Sequence, residues 1–165
     1  MHVRIAYYSR KGTTEGLAGM VAEGLRGRGH RVTMVPVRHV KRAGFIGAGR
    51  ASLKGGEMEL ANDEADYDLG DADLVVLGAP IFAGRVDPYT RTFVGRASGM
   101  EGKPGGVFVT CAAGPDDKDA YLDRIEDLAA SKGLQVRARM FGSRKLRERY
   151  AQLAGAFVDQ LVGDD

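Results

Sequence analysis

Segments of strand character alternate along this chain with segments of helical period, and that alternation limits the possible folds more than any other feature. Val3 to Tyr8 reads as a buried strand. Leu17, Met20, Val21 and Leu25 then recur at i, i+3, i+4 and i+8, one face of a helix that Gly27 and Gly29 end. Arg31 to Val37 is a second strand, with Val32, Met34 and Pro36 alternating against their neighbours, whereas Arg38 to Tyr67 fits no regular element. Leu74 to Ala79 is a run of small and branched apolar residues, as a central strand covered on both faces requires. Asp87 and Pro88 form an N-cap and first-turn pair that opens a helix through Phe93 and Val94. Gly106 to Thr110 is a fourth strand, Asp116 to Ala130 a helix with Leu122, Ile125 and Leu128 inward, and Leu134 to Phe141 a fifth strand. Ser143 caps a last helix whose stripe is Leu146, Tyr150, Leu153, Phe157 and Leu161.

Strands joined through helices need right-handed crossovers, so the expected fold is α/β, a doubly wound parallel sheet of five strands with helices on both faces. At 165 residues and roughly 150 per domain, residues 1–165 make one domain. Ligands on such sheets sit at the carboxyl ends of strands near the point where the strand order reverses, here after the first, third and fourth strands.

Composition removes several classes of function. No apolar run reaches the roughly 20 residues needed to cross a bilayer, and Met1 to Tyr8 is too short an apolar stretch for a secretory signal, so a cytoplasmic chain without a membrane role is expected. The single cysteine, Cys111, rules out an internal disulfide and the usual ligand sets of zinc and iron–sulfur sites. His2, His30 and His39 show no metal-ligand spacing and read as surface residues. With 24 lysines and arginines against 22 acids, the net charge of +2 supplies no global field for nucleic acid.

The loop after the first strand, Ser9-Arg10-Lys11-Gly12-Thr13-Thr14, places hydroxyls, a glycine and two cations at a helix amino end. Outward-pointing N–H groups and the positive end of the helix dipole suit a phosphate there. The plainer alternative is that Gly12 or Thr13 only caps the helix, with Glu15 closing a capping box. Neither a G-x-x-x-x-G-K-[ST] loop nor a G-x-G-x-x-G fingerprint is present, which disfavours nucleoside triphosphates and dinucleotides. The loop after the third strand, Pro80-Ile81-Phe82-Ala83-Gly84-Arg85, is apolar and aromatic and suits a flat ligand: Phe82 to stack, Gly84 to let the backbone approach, Arg85 to meet negative charge. Its alternative is a Phe82 that plugs the core. The loop after the fourth strand, Thr110-Cys111-Ala112-Ala113-Gly114, borders the same place, and Cys111 without a nearby histidine reads as a small packing residue, not a nucleophile. No catalytic side chain and no metal ligand is assigned.

Together these loops resemble the flavodoxin family. Ser9, Gly12 and Thr14 match the Ser/Thr-rich loop around the FMN phosphate, and Pro80 to Arg85 looks like the proline–aromatic–glycine loop beside the isoalloxazine. The resemblance implies a sheet of order 2-1-3-4-5, the order for which flavodoxin is itself a standard example with FMN at the switch point. It also implies FMN bound by Ser9, Arg10, Lys11, Gly12, Thr13, Thr14, Pro80, Ile81, Phe82, Ala83, Gly84, Arg85, Thr110, Cys111, Ala112 and Gly114. The implied function is electron transfer, as a carrier in preference to a small flavin oxidoreductase. The chain departs from the pattern at Lys11, which stands where a hydroxyl is usual, in lacking tryptophan, and in lacking the strong acidity of typical flavodoxins.

Between the second and third strands, at about 38–67, lies an insertion that begins basic and contains Gly and Phe: Arg38, Lys41, Arg42, Arg50 and Lys54 interleave with Gly44, Phe45, Ile46 and Leu53. It reads either as a docking surface for a redox partner protein with an acidic face or as a plain solvated loop; one phenylalanine is too few for a nucleic-acid platform. A receiver domain on the same topology would need acids where Ser9 and Ala79 stand. The remaining alternative is a flavodoxin-like domain that has lost FMN and serves as an interaction module.

Overall fold

The computed structural model describes residues 1–40 and 56–163. Its strands are β1 (His2–Tyr7), β2 (Arg31–Pro36), β3 (Leu74–Phe82), β4 (Arg85–Val86), β5 (Pro104–Cys111) and β6 (Gln135–Ser143). Five of them pair in parallel in the spatial order β2-β1-β3-β5-β6, while β4 pairs antiparallel with the end of β3. Counted among the parallel strands alone, this is the expected order 2-1-3-4-5. The two-residue β4 is a sixth strand, and its cause is that β3 does not stop at Ala79 but runs on to Phe82 and folds back.

The helices are α1 (Thr13–Gly27), α2 (Glu64–Tyr67), α3 (Pro88–Arg96), α4 (Lys118–Ala130) and α5 (Tyr150–Val162). The two-residue period of the strands divides their side chains between two cores. Val75, Leu77 and Ala79 of β3 join Val107 and Val109 of β5 beneath Phe93 of α3 and Ile125 of α4. Leu74, Val76, Val3, Ile5 and Phe108 face the other way, beneath Leu17 and Val21 of α1 and Phe157 of α5. Gly78 lies opposite Phe108 in the register, and a Cβ there would fall 2.1 Å from the Phe108 ring. Glycine is therefore what allows β3 and the bulky ring of β5 to share one layer.

Several expectations need correction. Met20, placed on the buried stripe of α1, is 39% exposed. Ser143 does not cap the final helix: its oxygen accepts from the Lys145 N–H and opens a 3₁₀ turn over Arg144–Arg149, in which Leu146 has a non-helical φ of −118°. The buried stripe of α5 begins only at Tyr150, and Leu146 is not part of it. His2 is buried at the edge of β1, its ring within 2.9 Å of the Thr33 hydroxyl and 2.8 Å of the Arg31 guanidinium. His39 lies against the rings of Tyr8 and Tyr89.

Within the 38–67 insertion, His39 and Leu60 form an antiparallel bridge and Asp63 opens α2 with a capping box closed by Asp66. Residues 41–55, with Lys41, Arg42, Phe45, Arg50 and Lys54, lie outside the described residues. Among the described residues no helix is long and apolar enough to cross a membrane.

Candidate functional site

An open cleft lies at the carboxyl ends of β1, β3 and β5, where a doubly wound sheet places its ligand. Ser9, Arg10, Lys11, Thr13 and Thr14 line it from the β1–α1 loop, and Pro80, Ile81 and Phe82 from the end of β3. Thr110, Cys111 and Ala112 line it from the end of β5, and Arg144 from the turn after β6.

The first wall is made by the amino end of α1. Gly12 adopts φ 88°, in the left-handed region that glycine enters without the steric cost of a Cβ. The Ser9 hydroxyl turns inward and accepts from the Gly12 N–H at 3.1 Å and the Glu15 N–H at 3.2 Å. Ser9 is thus the residue that caps this helix, and neither Thr13 nor Glu15 closes a capping box. The N–H groups of Thr13 and Thr14 make no hydrogen bond among the described residues, so the helix presents two amides at its positive end. The Thr14 hydroxyl pairs with that of Thr110 at 2.8 Å, both residues buried, and ties this loop to β5.

The second wall is apolar. Pro80, Ile81 and Phe82 belong to the hairpin, with Ile81 opposite Val86 and Phe82 opposite Arg85. The connecting residues Ala83 and Gly84 have φ of 49° and 73°, the pair of positive values a two-residue hairpin turn demands. Phe82 is half-buried, edge-on to Tyr8 at 6.5 Å, while Tyr8 stacks on Tyr89 at 4.4 Å. Phe82 is therefore not a core plug. The Arg10 guanidinium lies 5.9 Å from the Phe82 ring centroid and links the two walls by a cation–π contact.

Gly12, Ala83, Gly84, Arg85 and Gly114 do not line the cleft. Gly12 sets the loop's turn, Ala83 and Gly84 form the hairpin apex, and Arg85 lines a second hollow on the α4 side with Arg91 and Arg124. Arg144 is the lining residue that sequence reasoning missed. It comes from the far end of the chain, and the signal was the basic Arg144-Lys145 pair directly after the last strand. Three cations therefore flank the cleft, Arg10, Lys11 and Arg144, with no carboxylate or imidazole among the lining residues.

The hairpin ends on Asp87, which is buried and caps α3: one carboxylate oxygen accepts from the Thr90 N–H at 2.8 Å and the other from the Thr90 hydroxyl at 2.5 Å. Burial, only partly offset by these bonds and by the Arg91 charge, pushes its pKa up to about 7.

No family model matches the chain. Over 129 residues it is 31% identical to an NAD(P)H dehydrogenase (quinone) of Cupriavidus metallidurans, an alignment that covers 74% of this chain and 63% of that protein's length. Among solved structures, a flavodoxin, WrbA-like protein from Agrobacterium tumefaciens superposes with a TM-score of 0.68 at 19% identity, covering 97% of this chain and 94% of that one. A flavoprotein from Lactobacillus acidophilus, solved in complex with FMN, superposes with a TM-score of 0.64 at 19% identity, covering 91% of this chain and 98% of that one. A parallel sheet of order 2-1-3-4-5, a cleft at its switch point and these neighbours lead to one conclusion: the chain is a protein of the flavodoxin-like fold.

Proposed function

We propose that the cleft holds FMN and that the chain, one domain over residues 1–165, works in electron transfer. The observation that carries this reading is the pairing of two unlike walls in one cleft: helix amides and cations on one side, Pro80, Ile81 and Phe82 on the other. FMN is amphipathic in the same sense, a phosphate dianion joined to a flat ring, and the residues present fit it. When bound, its ring supplies chemistry that no side chain offers, the uptake and release of one or two electrons.

The chain's own groups have separable tasks in this proposal. The amides of Thr13 and Thr14, with Lys11, Arg10 and Arg144, balance the phosphate. Lys11 does by charge what a hydroxyl does elsewhere in the family by hydrogen bonding. Ile81 and Phe82 cover the ring and exclude water, and Thr110, Cys111 and Ala112 form the floor. Ser9 acts through the helix it caps and Gly12 through the turn it allows, while Ala83, Gly84, Arg85 and Gly114 stand outside the inner contacts. Positive charge on the walls favours the electron-loaded state of a bound group and so raises its potential. The same charge, continued by the exposed Lys145, Arg147 and Arg149, suits a redox partner with an acidic face.

Titration of the stripped protein with FMN, followed by flavin fluorescence, tests the reading. Stoichiometric binding that Gly12→Asp abolishes is expected, because aspartate is strained at the φ of 88° that this turn requires and adds negative charge to the loop that meets the phosphate. No binding at saturating FMN overturns it and leaves an interaction module that has lost the cofactor. The Cupriavidus relative favours a second reading, an oxidoreductase that passes electrons from NAD(P)H to a quinone. Quinone reduction by NADH or NADPH faster than free FMN achieves supports that reading; a rate no faster supports the carrier.

A further inference from the structure

The ladder between β5 and β6 ends at the pair Cys111 and Ser143. Beyond that pair two segments leave the sheet beside the cleft: Ala112 and Ala113 run on from β5 toward α4, and Arg144 opens the 3₁₀ turn that precedes α5. One side chain joins them. The Ser143 hydroxyl donates to the Ala113 carbonyl at 2.8 Å and accepts from the Lys145 N–H at 3.2 Å, while the Ser143 carbonyl accepts from the Tyr150 hydroxyl at 3.0 Å. Ser143 is 1% exposed, so these bonds are shielded from water. Arg144 makes no hydrogen bond or ion pair among the described residues, and the backbone of the turn is what directs it to the cleft. Burial raises the pKa of Tyr150, and the charges of Arg147 and Arg144 oppose that rise, as guanidiniums near its hydroxyl do.

We propose, on the reading of the cleft as an FMN site, that Ser143 is its positioning residue: the hydroxyl fixes the floor at Cys111 and Ala112 and the cation of Arg144 relative to one another. Floor and cation act on different parts of one ligand, the ring and the phosphate, so both are engaged at once only if their separation is set beforehand. A hydroxyl suits this task because it donates and accepts together. Alanine at this position leaves the Ala113 carbonyl and the Lys145 N–H without their partner and frees the turn to open. On the opposite side the Thr110 hydroxyl pairs with that of Thr14 at 2.8 Å. The end of β5 is thus held to the first wall by one hydroxyl and to the Arg144 turn by another.

The test is a double-mutant cycle of Ser143→Ala with Arg144→Gln in the full chain, read by FMN titration of the stripped protein and by amide hydrogen exchange without FMN. Arg144→Gln is expected to weaken FMN about fivefold in the wild-type background and less than about twofold in Ser143→Ala, because an undirected guanidinium contributes little. A hydroxyl that only supports the fold lowers stability and leaves the Arg144 factor the same in both backgrounds, and that outcome overturns the proposal. In the unliganded protein, exchange at the Lys145 amide is expected to rise about tenfold in Ser143→Ala while Val107 and Val109 of β5 are unchanged. A rise spread equally over the sheet, or none at Lys145, also overturns it. Tyr150→Phe removes the tie on the Ser143 carbonyl; it is expected to act in the same direction and takes the place of Ser143→Ala if that variant does not fold. Wild type that takes up no FMN, with Lys145 responding as expected, removes the cofactor reading and leaves the coupling of the two segments. FMN binding with no response at Lys145 removes Ser143 and leaves the cofactor.

Discussion

Replacing Asp87 by Asn isolates the effect of one buried carboxyl on stability. The folded protein keeps a proton on Asp87 up to about pH 7, whereas the ordinary aspartate value is 3.8. Between those values the native state binds more protons than the unfolded chain, so stability falls as pH rises. The contribution is fully present below about pH 4, is lost progressively up to about pH 7, and is flat above. The gap between 3.8 and about 7, at 1.36 kcal/mol per pH unit, gives a total loss of ~4 kcal/mol. Most of it, ~3 kcal/mol, falls between about pH 5 and about pH 8. Asparagine keeps both bonds to Thr90, its carbonyl accepting from the N–H and its amide donating to the hydroxyl, but it does not ionise. Guanidinium unfolding of wild type and Asp87→Asn at the two pH values is the assay. Wild type is expected to lose ~3 kcal/mol more than the variant, the titrations of all other groups cancelling in the difference. Parallel pH profiles for the two proteins refute the reasoning.

Four further substitutions test packing, capping and the charge beside the cleft. Gly78→Ala drives a methyl to 2.1 Å from the Phe108 ring and is expected to cost ~3 kcal/mol, while Gly19→Ala, with open space around its Cβ in α1, is expected to stabilise by up to ~1 kcal/mol; denaturant midpoints check both. Ser9→Ala removes the acceptor for the Gly12 N–H and for the α1 amide of Glu15 and is expected to cost ~1 kcal/mol in chemical unfolding. Arg144→Gln removes one of the three cations beside the cleft; it is expected to weaken FMN about fivefold with unfolding unchanged, and an unchanged FMN Kd removes Arg144 from the site.

What the amino-acid sequence determines by itself is the alternation and its consequence. The apolar runs Leu74–Ala79 and Gly106–Thr110 could serve only as central strands, the stripe Leu17, Val21 and Leu25 only as a helix face, and from these the parallel sheet and the place of its cleft follow. Periodicity is local, so it can be read within a window of about a dozen residues. Tertiary structure decided where individual side chains went. Phe82 and Arg85 are three positions apart, yet the fold-back of the hairpin places one in the cleft and the other in the arginine hollow. Arg144 reaches the cleft because β6 lies beside β5, a pairing of distant segments that no window near residue 144 contains. His2, which stands at a strand start without metal-ligand spacing and reads as surface, is buried because Thr33 and Asp71 converge on it from other parts of the chain. Asp87 announces itself as a helix cap in the Asp-Pro pair. Its raised pKa comes from complete burial in the assembled fold, and burial is a sum over every element packed around a group.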